Sequence, residues 1–416
     1  MEEWKEYKIS EIIEEIAMGP FGSNIKVDNF IDFGIPVLNG SNLQGFKLNE
    51  DSFNYVSEEK ADSLGRANAF RGDIVITHRG TLGQIVYIPL DSKYERYVIS
   101  QSQFRLRLYQ NIIRPDFFVY FFHTRIGQHR ILMNASQVGV PALARPTSTF
   151  KEITIPVPPM EIQNKVMAIL LSLDDKIELN HRINENLEQQ AQALFKSWFV
   201  DFEPFKDGKF VDSELGMIPE GWKVCELGNL CDSISITHPC KKGELIFLNT
   251  GDIENGFVLT NKYMDIKDMP GQAKKSIKEN DILYSEIRPI NRHYAFVNFP
   301  AHEYIVSTKL MVIRAINEKL SIRLYQYLTS NDIINELQHE AESRSGTFPQ
   351  IRFENIKKLK ILIGPNNIEN QYTEFIGNIY KMIFQYRKEI IKLEHLRDTL
   401  LPKLMSGELK INYFND

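Results

Sequence analysis

Arg-Gly-Asp-Ile-Val-Ile-Thr at residues 71–77 is matched by Glu-Asn-Asp-Ile-Leu-Tyr-Ser at 279–285, which places Asp73 on Asp281 at an offset of 208. The match continues on both sides of this stretch. Upstream, Ile-Pro-Val-Leu-Asn-Gly-Ser-Asn-Leu (35–43) corresponds to Leu-Ile-Phe-Leu-Asn-Thr-Gly-Asp-Ile (245–253). Downstream, Pro-Pro-Met-Glu-Ile-Gln-Asn (158–164) corresponds to Gly-Pro-Asn-Asn-Ile-Glu-Asn (364–370). The matched segments occur in the same order in both halves of the chain, and the offset between them changes slowly. This pattern predicts an internal duplication.

Each half of the chain has the same pattern of elements. Short apolar or alternating runs, broken by Gly, Asn and Pro, predict a β-rich unit of about 150 residues, and a long amphipathic stretch then predicts one helix. The expected fold class is α+β, with two tandem α/β domains, two long helices and a pseudo-two-fold repeat. The predicted boundaries are 1–157 (first domain), 158–199 (first helix), 200–220 (central linker), 221–363 (second domain) and 364–409 (second helix and C-terminal tail).

Both predicted helices carry a heptad-like stripe with alternating steps of four and three. At a rise of about 1.5 Å per residue, some 36 residues make a rod of about 54 Å, longer than one turn of DNA. The stripe predicts either paired rods or two helices that cover only their own domains. Its members are Val166, Leu170, Leu173, Ile177, Asn180, Asn184, Leu187, Ala191, Leu194 and Trp198 in the first helix, and Tyr372, Ile376, Ile379, Ile383, Tyr386, Ile390, Leu393, Arg397, Leu400 and Leu404 in the second.

Polar Asn180 and Asn184 occupy seam positions at which Ile or Leu is expected. A buried Asn in such a seam fixes register at a cost in stability. The alternative is that both carboxamides face a partner subunit.

Charge and cysteine content narrow the class of protein. The net charge of -5 opposes DNA binding by the whole surface, but residues 1–76 carry 7 Lys/Arg against 14 Asp/Glu and residues 77–150 carry 9 against 3. This asymmetry permits an anion-facing surface or a solvated basic face. Three cysteines in one short segment do not suit a secreted disulfide framework, and no apolar run is long enough to span a bilayer. A soluble, cytoplasmic protein is expected.

Motifs for catalysis and cofactor binding are missing from the sequence. There is no Gly-x-x-x-x-Gly-Lys-Ser/Thr loop and no Gly-x-Gly-x-x-Gly after a strand, and Val-Pro-Pro-Met (157–160) does not fit the tetrapeptide of amino-methyltransferases. The spacing of Cys225, Cys231, His238 and Cys240 lacks the paired hooks of structural zinc sites. No catalytic residue, metal or cofactor is therefore expected in this chain.

Three segments resemble the specificity subunits of type I restriction-modification enzymes. They are Trp-Phe-Val-Asp-Phe-Glu-Pro-Phe with Ser-Glu-Leu-Gly-Met-Ile-Pro-Glu-Gly-Trp (198–222), Pro-Pro-Met-Glu-Ile-Gln-Asn-Lys-Val (158–166), and Leu-Arg-Asp-Thr-Leu-Leu-Pro-Lys-Leu-Met-Ser-Gly-Glu-Leu (396–409). The loop Gly-Pro-Phe-Gly-Ser (19–23) is similar to that of many first recognition domains in the family, whereas the stretch from Cys231 to His238 lacks its glycines.

The resemblance implies two target recognition domains, each reading one half of a split double-stranded DNA site, joined by antiparallel helices that set the spacer. It also implies that two modification subunits carrying S-adenosylmethionine dock on the helices, and that restriction subunits using ATP and Mg join them. The seam residues expected to serve helix pairing or subunit binding are Val166, Leu173, Ile177, Asn180, Asn184, Leu187, Leu194, Trp198, Ile376, Ile383, Tyr386, Ile390, Leu393 and Leu400.

Candidate DNA-contacting residues are polar side chains in Gly-containing loops that follow apolar strands, because bases are read by donors and acceptors at their edges. Surface solvation is the alternative for each one. The first-domain candidates are Ser23, Thr77, His78, Arg79, Thr81, Gln103, Ser136, Gln137 and Arg145. The second-domain candidates are Ser285, Glu286, Arg288, Asn291, Arg292, His293, Arg344, Ser345, Thr347, Gln350 and Arg352.

Two other functions are weighed against DNA recognition. A coiled-coil scaffold without DNA specificity accounts for the heptads but leaves the divergent paired domains unexplained. A fused restriction-methylation enzyme requires a methyltransferase core of some 200 further residues, for which the chain has no segment.

Overall fold

The computed structural model describes residues 4–22, 24–133, 135–136, 140–239, 241, 243–344 and 348–409. The chain divides into two units, one formed by Met1–Ile177 with Lys392–Asp416 and the other by Glu178–Ile391. Each unit therefore contains one β-rich domain and parts of two long helices. These helices are α6 (Met160–Phe199) and α10 (Asn366–Met405), each 40 residues long.

The first unit is built around two four-stranded sheets, with strand orders β2-β9-β6-β7 and β4-β3-β8-β5. Its helices are α1 (Ile9–Ile12), α2 (Glu58–Ser63), α3 (Pro115–His123), α4 (Arg125–Leu132) and α5 (Pro146–Lys151). Its strands are β1 (Lys5–Lys8), β2 (Ile13–Met18), β3 (Ile35–Val37), β4 (Asn54–Val56), β5 (Asn68–Phe70), β6 (Ile74–Thr77), β7 (Ile85–Tyr87), β8 (Arg96–Val98), β9 (Gln103–Leu108), β10 (Ala135–Ser136), β11 (Ala142–Leu143) and β12 (Thr154–Val157).

Strand β6 shows how the layers of the first unit form. All four of its residues are buried, and successive side chains of a strand point to opposite faces. Ile74 and Ile76 join a core shared with α3, α5 and the start of α6, whereas Val75 joins a core between the two sheets. Ala61 of α2 packs on the far face of the second sheet. The order of layers is therefore helices, sheet, sheet and α2.

The second unit repeats this plan, with sheet orders β16-β25-β22-β23 and β20-β17-β24-β21. Its short helices are α7 (Ser321–Leu328), α8 (Asn331–Arg344) and α9 (Phe353–Ile356). Its strands are β13 (Phe210–Ser213), β14 (Gly216–Pro219), β15 (Lys223–Glu226), β16 (Cys231–Ser233), β17 (Glu244–Leu248), β18 (Ile253–Glu254), β19 (Phe257–Val258), β20 (Tyr263–Asp265), β21 (Ala273–Ser276), β22 (Ile282–Ser285), β23 (Tyr294–Phe296), β24 (Tyr304–Ser307), β25 (Leu310–Ala315) and β26 (Lys360–Ile363).

The duplication read from the sequence is confirmed by the sheets. In both units a four-stranded sheet pairs its strands antiparallel and the second sheet contains one parallel pair. In addition, β1 pairs with β12 and β15 pairs with β26, the strands that precede the two long helices. The α+β class with two tandem domains is therefore confirmed. The stretch 200–220 contains a hairpin of β13 and β14.

Segments of α6 and α10 pack antiparallel within each unit. In the first unit, the Arg397 guanidinium lies 2.8 Å from the Asp174 carboxylate. In the second unit, Arg387 lies 2.6 Å from Glu188, and the ring centroids of Trp198 and Tyr372 are 5.4 Å apart. Residue numbers therefore fall along one helix as they rise along the other.

The predicted seam residues differ in how far they are buried. Val166, Ile177, Asn180, Asn184, Leu187, Ile376, Ile383 and Ile390 are buried. Leu173, Leu194, Trp198, Tyr386, Leu393 and Leu400 are partly exposed. At the end of α10, the stripe member Leu404 enters the core of the first unit together with Leu401 and Met405, and Leu400 packs against this core. The buried face of the helix is therefore wider here than the stripe.

A buried carboxylate holds the main sheet of each unit through arginine. Asp73 accepts bonds from Arg107 at 2.7 and 3.1 Å and from Arg105 at 3.4 Å. Asp281 accepts bonds from Arg314 at 2.6 and 2.7 Å. Burial raises the pKa of Asp73, while the two guanidinium groups and a backbone bond from Phe70 act against the rise. The duplicated Asp is thus a structural element of both copies.

Replacing Asp73 by Ala should destabilise the first unit by about 1–3 kcal/mol, because Arg107 would lose both of its bonds to this buried carboxylate, while the buried Arg105 would keep Glu15 as its carboxylate partner. Asp62, which pairs with Arg96 at 2.6 Å but is 69% exposed, is the matched control, and Asp62→Ala should cost less than about 1 kcal/mol. Urea denaturation of the full chain measures both changes, and hydrogen exchange of β9 peptides locates them. Equal losses for the two variants would contradict the structural role of Asp73.

Asn180 and Asn184 are buried and their carboxamides have no hydrogen-bond partner among the residues that the structure describes. Because an unsatisfied buried polar group costs about 1–3 kcal/mol, Asn180→Leu and Asn184→Leu should each raise the unfolding midpoint of the isolated chain. Asn186→Leu, on an exposed position of the same helix, should leave it unchanged. A lower midpoint for both buried variants would show that the native carboxamides are satisfied by ordered water.

Candidate nucleic-acid interface

The loops after β2 and β6 and the turn before β9 meet at one end of the strands of the main sheet in the first unit. This end of the sheet is here called the loop edge. Strand β9 pairs antiparallel with both β2 and β6, so the ends of β2 and β6 lie beside the start of β9. Met18 is opposite Phe104, and Thr77 is opposite Gln103. The candidate residues from 77 to 81 and at 103 therefore lie at this edge.

Backbone hydrogen bonds fix these loops to one another. His78 is central, because its N–H donates to Ser102 at 2.9 Å and its carbonyl accepts from Leu143 at 2.8 Å. The Gly80 N–H donates to Pro141 at 2.9 Å. The segment around 141–143 thus lies against the loop that follows β6.

The second unit has the same backbone scaffold at positions shifted by 207 or 208. The Glu286 N–H donates to Lys309 at 3.1 Å, and the Glu286 carbonyl accepts from Ile351 at 2.8 Å. The Arg288 N–H donates to Pro349 at 3.2 Å. Glu286 therefore replaces His78, and Arg288 replaces Gly80, on an equivalent frame.

The side chains presented by the two frames differ in charge and in hydrogen-bonding capacity. In the first unit Arg79, Thr81 and Arg145 are exposed. In the second, Arg288 and Asn291 are exposed, and Glu286, Arg292 and His293 are half-buried. Donors of this kind suit purine edges and phosphates, and Glu suits an exposed amino group of cytosine. The two surfaces thus present different sets of hydrogen-bond donors and acceptors.

His78 and His293 are each held by a backbone carbonyl. His78 Nε2 lies 3.2 Å from the Gln101 carbonyl and His293 Nδ1 lies 2.7 Å from that of Ile253. Because a carbonyl only accepts, the named nitrogen of each ring carries the proton of the bond. Burial lowers the pKa of His78, and the bond to the Gln101 carbonyl acts against this lowering.

Three candidate residues point inward and hold the loops. The Thr77 hydroxyl donates to Gln84 at 3.1 Å, and the Gln103 carbonyl oxygen accepts from the Ser100 N–H at 2.9 Å. Ser285 accepts from the Ile287 N–H at 3.0 Å. All three side chains are at most 3% exposed. The polar atoms of these three side chains therefore already form hydrogen bonds within the protein.

Arginine residues in left-handed backbone conformation mark both surfaces. Gly80 has φ of +92°, and Arg288 at the equivalent position has φ of +43°. Arg145 and Arg292 have φ of +47° and +55°. At this position the first domain has Gly, which adopts positive φ without strain, and the second domain has a strained Arg. Backbone strain of this kind often occurs at functional sites.

Much of the positive charge between residues 77 and 150 is neutralised inside the domain. Arg96, Arg105, Arg107 and Arg114 each pair with a carboxylate. Among the described residues at the loop edge, Arg79 and Arg145 are exposed arginines for which no ion pair is found. The charge asymmetry in the sequence therefore overstates the positive surface.

The remaining candidates are distributed as follows. Gln350 is half-buried beside Ile287, and Arg352 is exposed at the start of α9. Ser23, Gln137, Ser345 and Thr347 lie outside the described residues, as do the side chains of Ser136 and Arg344.

Sequence reasoning missed the residues that hold the loop after β6 from the side. Gln128 of α4 donates to the carbonyls of Gly83 and Phe122, both at 2.9 Å, and Gln84 donates to Gly40 at 3.1 Å. No local pattern marks these glutamines, because Gly83 and Gly40 lie more than 40 residues away from Gln128 and Gln84 in the sequence. Within the described residues, no helix is both long and apolar enough to cross a bilayer.

Comparison with known proteins identifies the family. A family model described as the type I restriction modification DNA specificity domain matches residues 1–189 and again 219–395. The chain is 26% identical to the specificity subunit of the type I restriction enzyme MjaIX of Methanocaldococcus jannaschii, over 98% of this chain and 94% of that protein. It is 41% identical to the HindI specificity subunit of Haemophilus influenzae, over 37% of this chain and 34% of that protein.

A crystal structure of a type I restriction-modification S subunit from M. genitalium has the same fold. Its TM-score is 0.61, with 15% sequence identity over 97% of this chain and 96% of that one. The chain belongs to the type I restriction-modification DNA specificity family. Its two tandem specificity domains fit recognition of a two-part DNA target.

The left-handed conformation of Arg288 predicts an unusual order of stability among its variants. Arg288→Gly should be more stable than Arg288→Ala by about 1 kcal/mol, because both lose the guanidinium but only Gly adopts positive φ without strain. At Arg79, which is exposed and has no positive φ, the Gly variant should instead be less stable than the Ala variant. Calorimetric unfolding midpoints test both orders, and a less stable Gly variant at both positions would contradict strain at Arg288.

Proposed function

We propose that this chain is the part of a type I restriction-modification complex that selects the DNA sequence, with one domain reading each half of a split site. The single observation that carries the proposal is the repeated loop frame. The hydrogen bonds around His78 recur around Glu286, while the exposed side chains on the two frames differ. Equal frames with unequal side chains are what two different half-sites require.

Arg79, Thr81 and Arg145 would contact the first half-site, and Arg288, Asn291 and Arg292 the second. Arginine bonds in bidentate fashion to guanine, and asparagine does so to adenine. Thr77, Gln103 and Ser285 would act by holding the loops, since their polar atoms are already used within the protein. Phosphate contacts would set the position of each domain without selecting bases.

The long helices would provide the spacer and the docking surface for two modification subunits. Each helix has 40 residues, which corresponds to about 60 Å at 1.5 Å per residue. Exposed apolar side chains remain on both helices, namely Leu179, Phe375, Met382, Ile391 and Leu396. Apolar surface of this kind is typical of protein contacts. Restriction subunits would join the same complex.

The chain would perform no reaction itself. Its sequence contains neither a phosphate-binding loop of the Gly-x-x-x-x-Gly-Lys-Ser/Thr or Gly-x-Gly-x-x-Gly type nor the tetrapeptide of amino-methyltransferases. S-adenosylmethionine would therefore be bound by the modification subunits, and ATP with Mg by the restriction subunits. Such a complex would work in the cytoplasm, where it meets DNA.

Methylation mapping of genomic DNA tests the proposal. Cells that produce this chain with its modification subunit should carry a split motif with methyladenine in both halves, and cells without the chain should not. Arg79→Ala should relax the first half of the motif, and Arg288→Ala the second, because each loss of a base contact costs about 1–3 kcal/mol. Lys60→Ala, on α2 at the far face of the second sheet, is the control and should leave the motif unchanged.

An unchanged methylome in cells where both proteins are produced and assembled would contradict DNA selection and favour the scaffold alternative. Loss of both halves of the motif by either single variant would contradict the division of labour between the two domains.

A further inference from the structure

Phe21 is a large apolar side chain that the protein leaves in solvent. It is 84% exposed, in the loop that follows β2. Burial of a Phe side chain is worth about 1.5–3 kcal/mol, and Phe21 contributes almost none of this to folding. This exposed aromatic is therefore available for contact with another molecule.

The loop that carries Phe21 is held close to the backbone of the Ser100–Gln103 turn. The Gly19 N–H donates to Gln103 at 2.8 Å, and a Cβ on Gly19 would collide with the Ser100 carbonyl. A Cβ on Gly22 would collide with the Gln101 side chain. The Phe21 carbonyl accepts from the Asn24 N–H at 2.8 Å. The glycines on both sides of Phe21 thus allow a close fit that fixes where the ring is presented.

The position of this loop places the ring among the candidate DNA-contacting residues. The turn against which it packs also accepts the His78 N–H at Ser102 and contacts the His78 ring at Gln101. Phe21 therefore belongs to the same edge of the sheet as the loop from 77 to 81.

A second exposed aromatic residue of the first domain lies away from the candidate DNA-contacting loops. Phe33 is also 84% exposed, but it precedes β3, which runs parallel to β8 with Val37 opposite Val98. Ser100 follows Val98, whereas Phe33 precedes Val37 by four residues. Phe33 therefore precedes the start of these parallel strands, whereas the Ser100 turn follows their end. It provides a matched control within the same domain.

The loop after β16 in the second unit takes a different path. Its backbone pairs with β21, through Ser276 N–H to Ile236 at 2.8 Å and His238 N–H to Lys274 at 2.8 Å. Ile236 is exposed there, but no aromatic occupies the loop. Phe21 therefore has no aromatic counterpart in the loop after β16.

We infer that Phe21 is an aromatic wedge that enters the duplex at the first half-site and stacks on a base. The inference rests on the proposed DNA-reading function. Apolar side chains inserted at a base step unstack it and kink the duplex, and an aromatic face stacks on any base. The ring thereby gains contact area on DNA that it lacks in the free protein, and the adjacent polar loop reads base edges next to the opened step.

The test uses the full chain assembled with its modification subunit and a duplex that carries the motif found by methylation mapping. Phe21→Ala should weaken binding about tenfold, the size of one lost base–aromatic stack. Phe21→Trp should bind as tightly as the unaltered protein, and Phe33→Ala should have no effect. Because Phe21 neutralises no phosphate, the salt dependence of binding should stay unchanged in Phe21→Ala. Thermal unfolding midpoints of all variants should remain the same.

A 2-aminopurine base placed in turn through each half-site reports local unstacking. Its fluorescence should rise at one step of the first half-site with the unaltered protein and should not rise with Phe21→Ala. The second half-site should show no difference between the two proteins.

Equal DNA affinities for Phe21→Ala and the unaltered protein would overturn the wedge while leaving sequence selection intact. Equal losses in Phe21→Ala and Phe33→Ala would also overturn it. Weaker assembly with the modification subunit, at unchanged DNA affinity per assembled complex, would assign Phe21 to a protein contact instead. If the unaltered protein fails to prefer the motif over random duplex, both the proposed function and the wedge are wrong.

Discussion

Burial of the apolar stripes of α6 and α10 is the interaction on which the rest of the structure depends. A helix with one apolar face is stable only when another element covers that face. Val166, Met167 and Leu170 of α6 join Leu401 and Leu404 of α10 in the core of the first unit. Ala191 and Phe199 of α6 join Tyr372 and Ile376 of α10 in a core of the second unit. The helices are thus parts of the domain cores, and their pairing is fixed by the same contacts that close each unit.

The recognition loops of both units are held by backbone hydrogen bonds, which do not depend on side-chain identity. Backbone groups of His78 and Glu286 make equivalent hydrogen bonds, so the frame tolerates a change from imidazole to carboxylate. The tolerance has a limit where the backbone takes positive φ. Gly80 adopts this conformation freely, whereas Arg288 adopts it at a cost that the surrounding contacts must offset. Sequence can diverge widely on such a frame while the geometry of the loops is kept.

The sequence predicted what repetition and periodicity encode. The match of Asp73 to Asp281 revealed the duplication, and the heptad steps located both long helices. The inward orientation of Thr77 and Gln103 could not be predicted, because both occupy polar loops by pattern and their partners are set by tertiary contacts. The sequence also did not predict that the end of α10 belongs to the first unit. In the repeat, each long helix follows one domain, so that both helices were expected to belong to the domain before them. The identity of the loop side chains that meet DNA depends on a complex that sequence periodicity does not describe.

Placement of Leu401, Leu404 and Met405 in the first core has a consequence for protein synthesis. Leu401 follows Leu170 by 231 positions in the chain, yet both belong to one cluster of apolar side chains. At about 5–20 residues per second, the ribosome takes on the order of tens of seconds to deliver the missing piece. Throughout this interval the apolar surface of the first domain that the α10 end will cover stays exposed to solvent. A chain released before residue 401 would lack part of the core of its first domain.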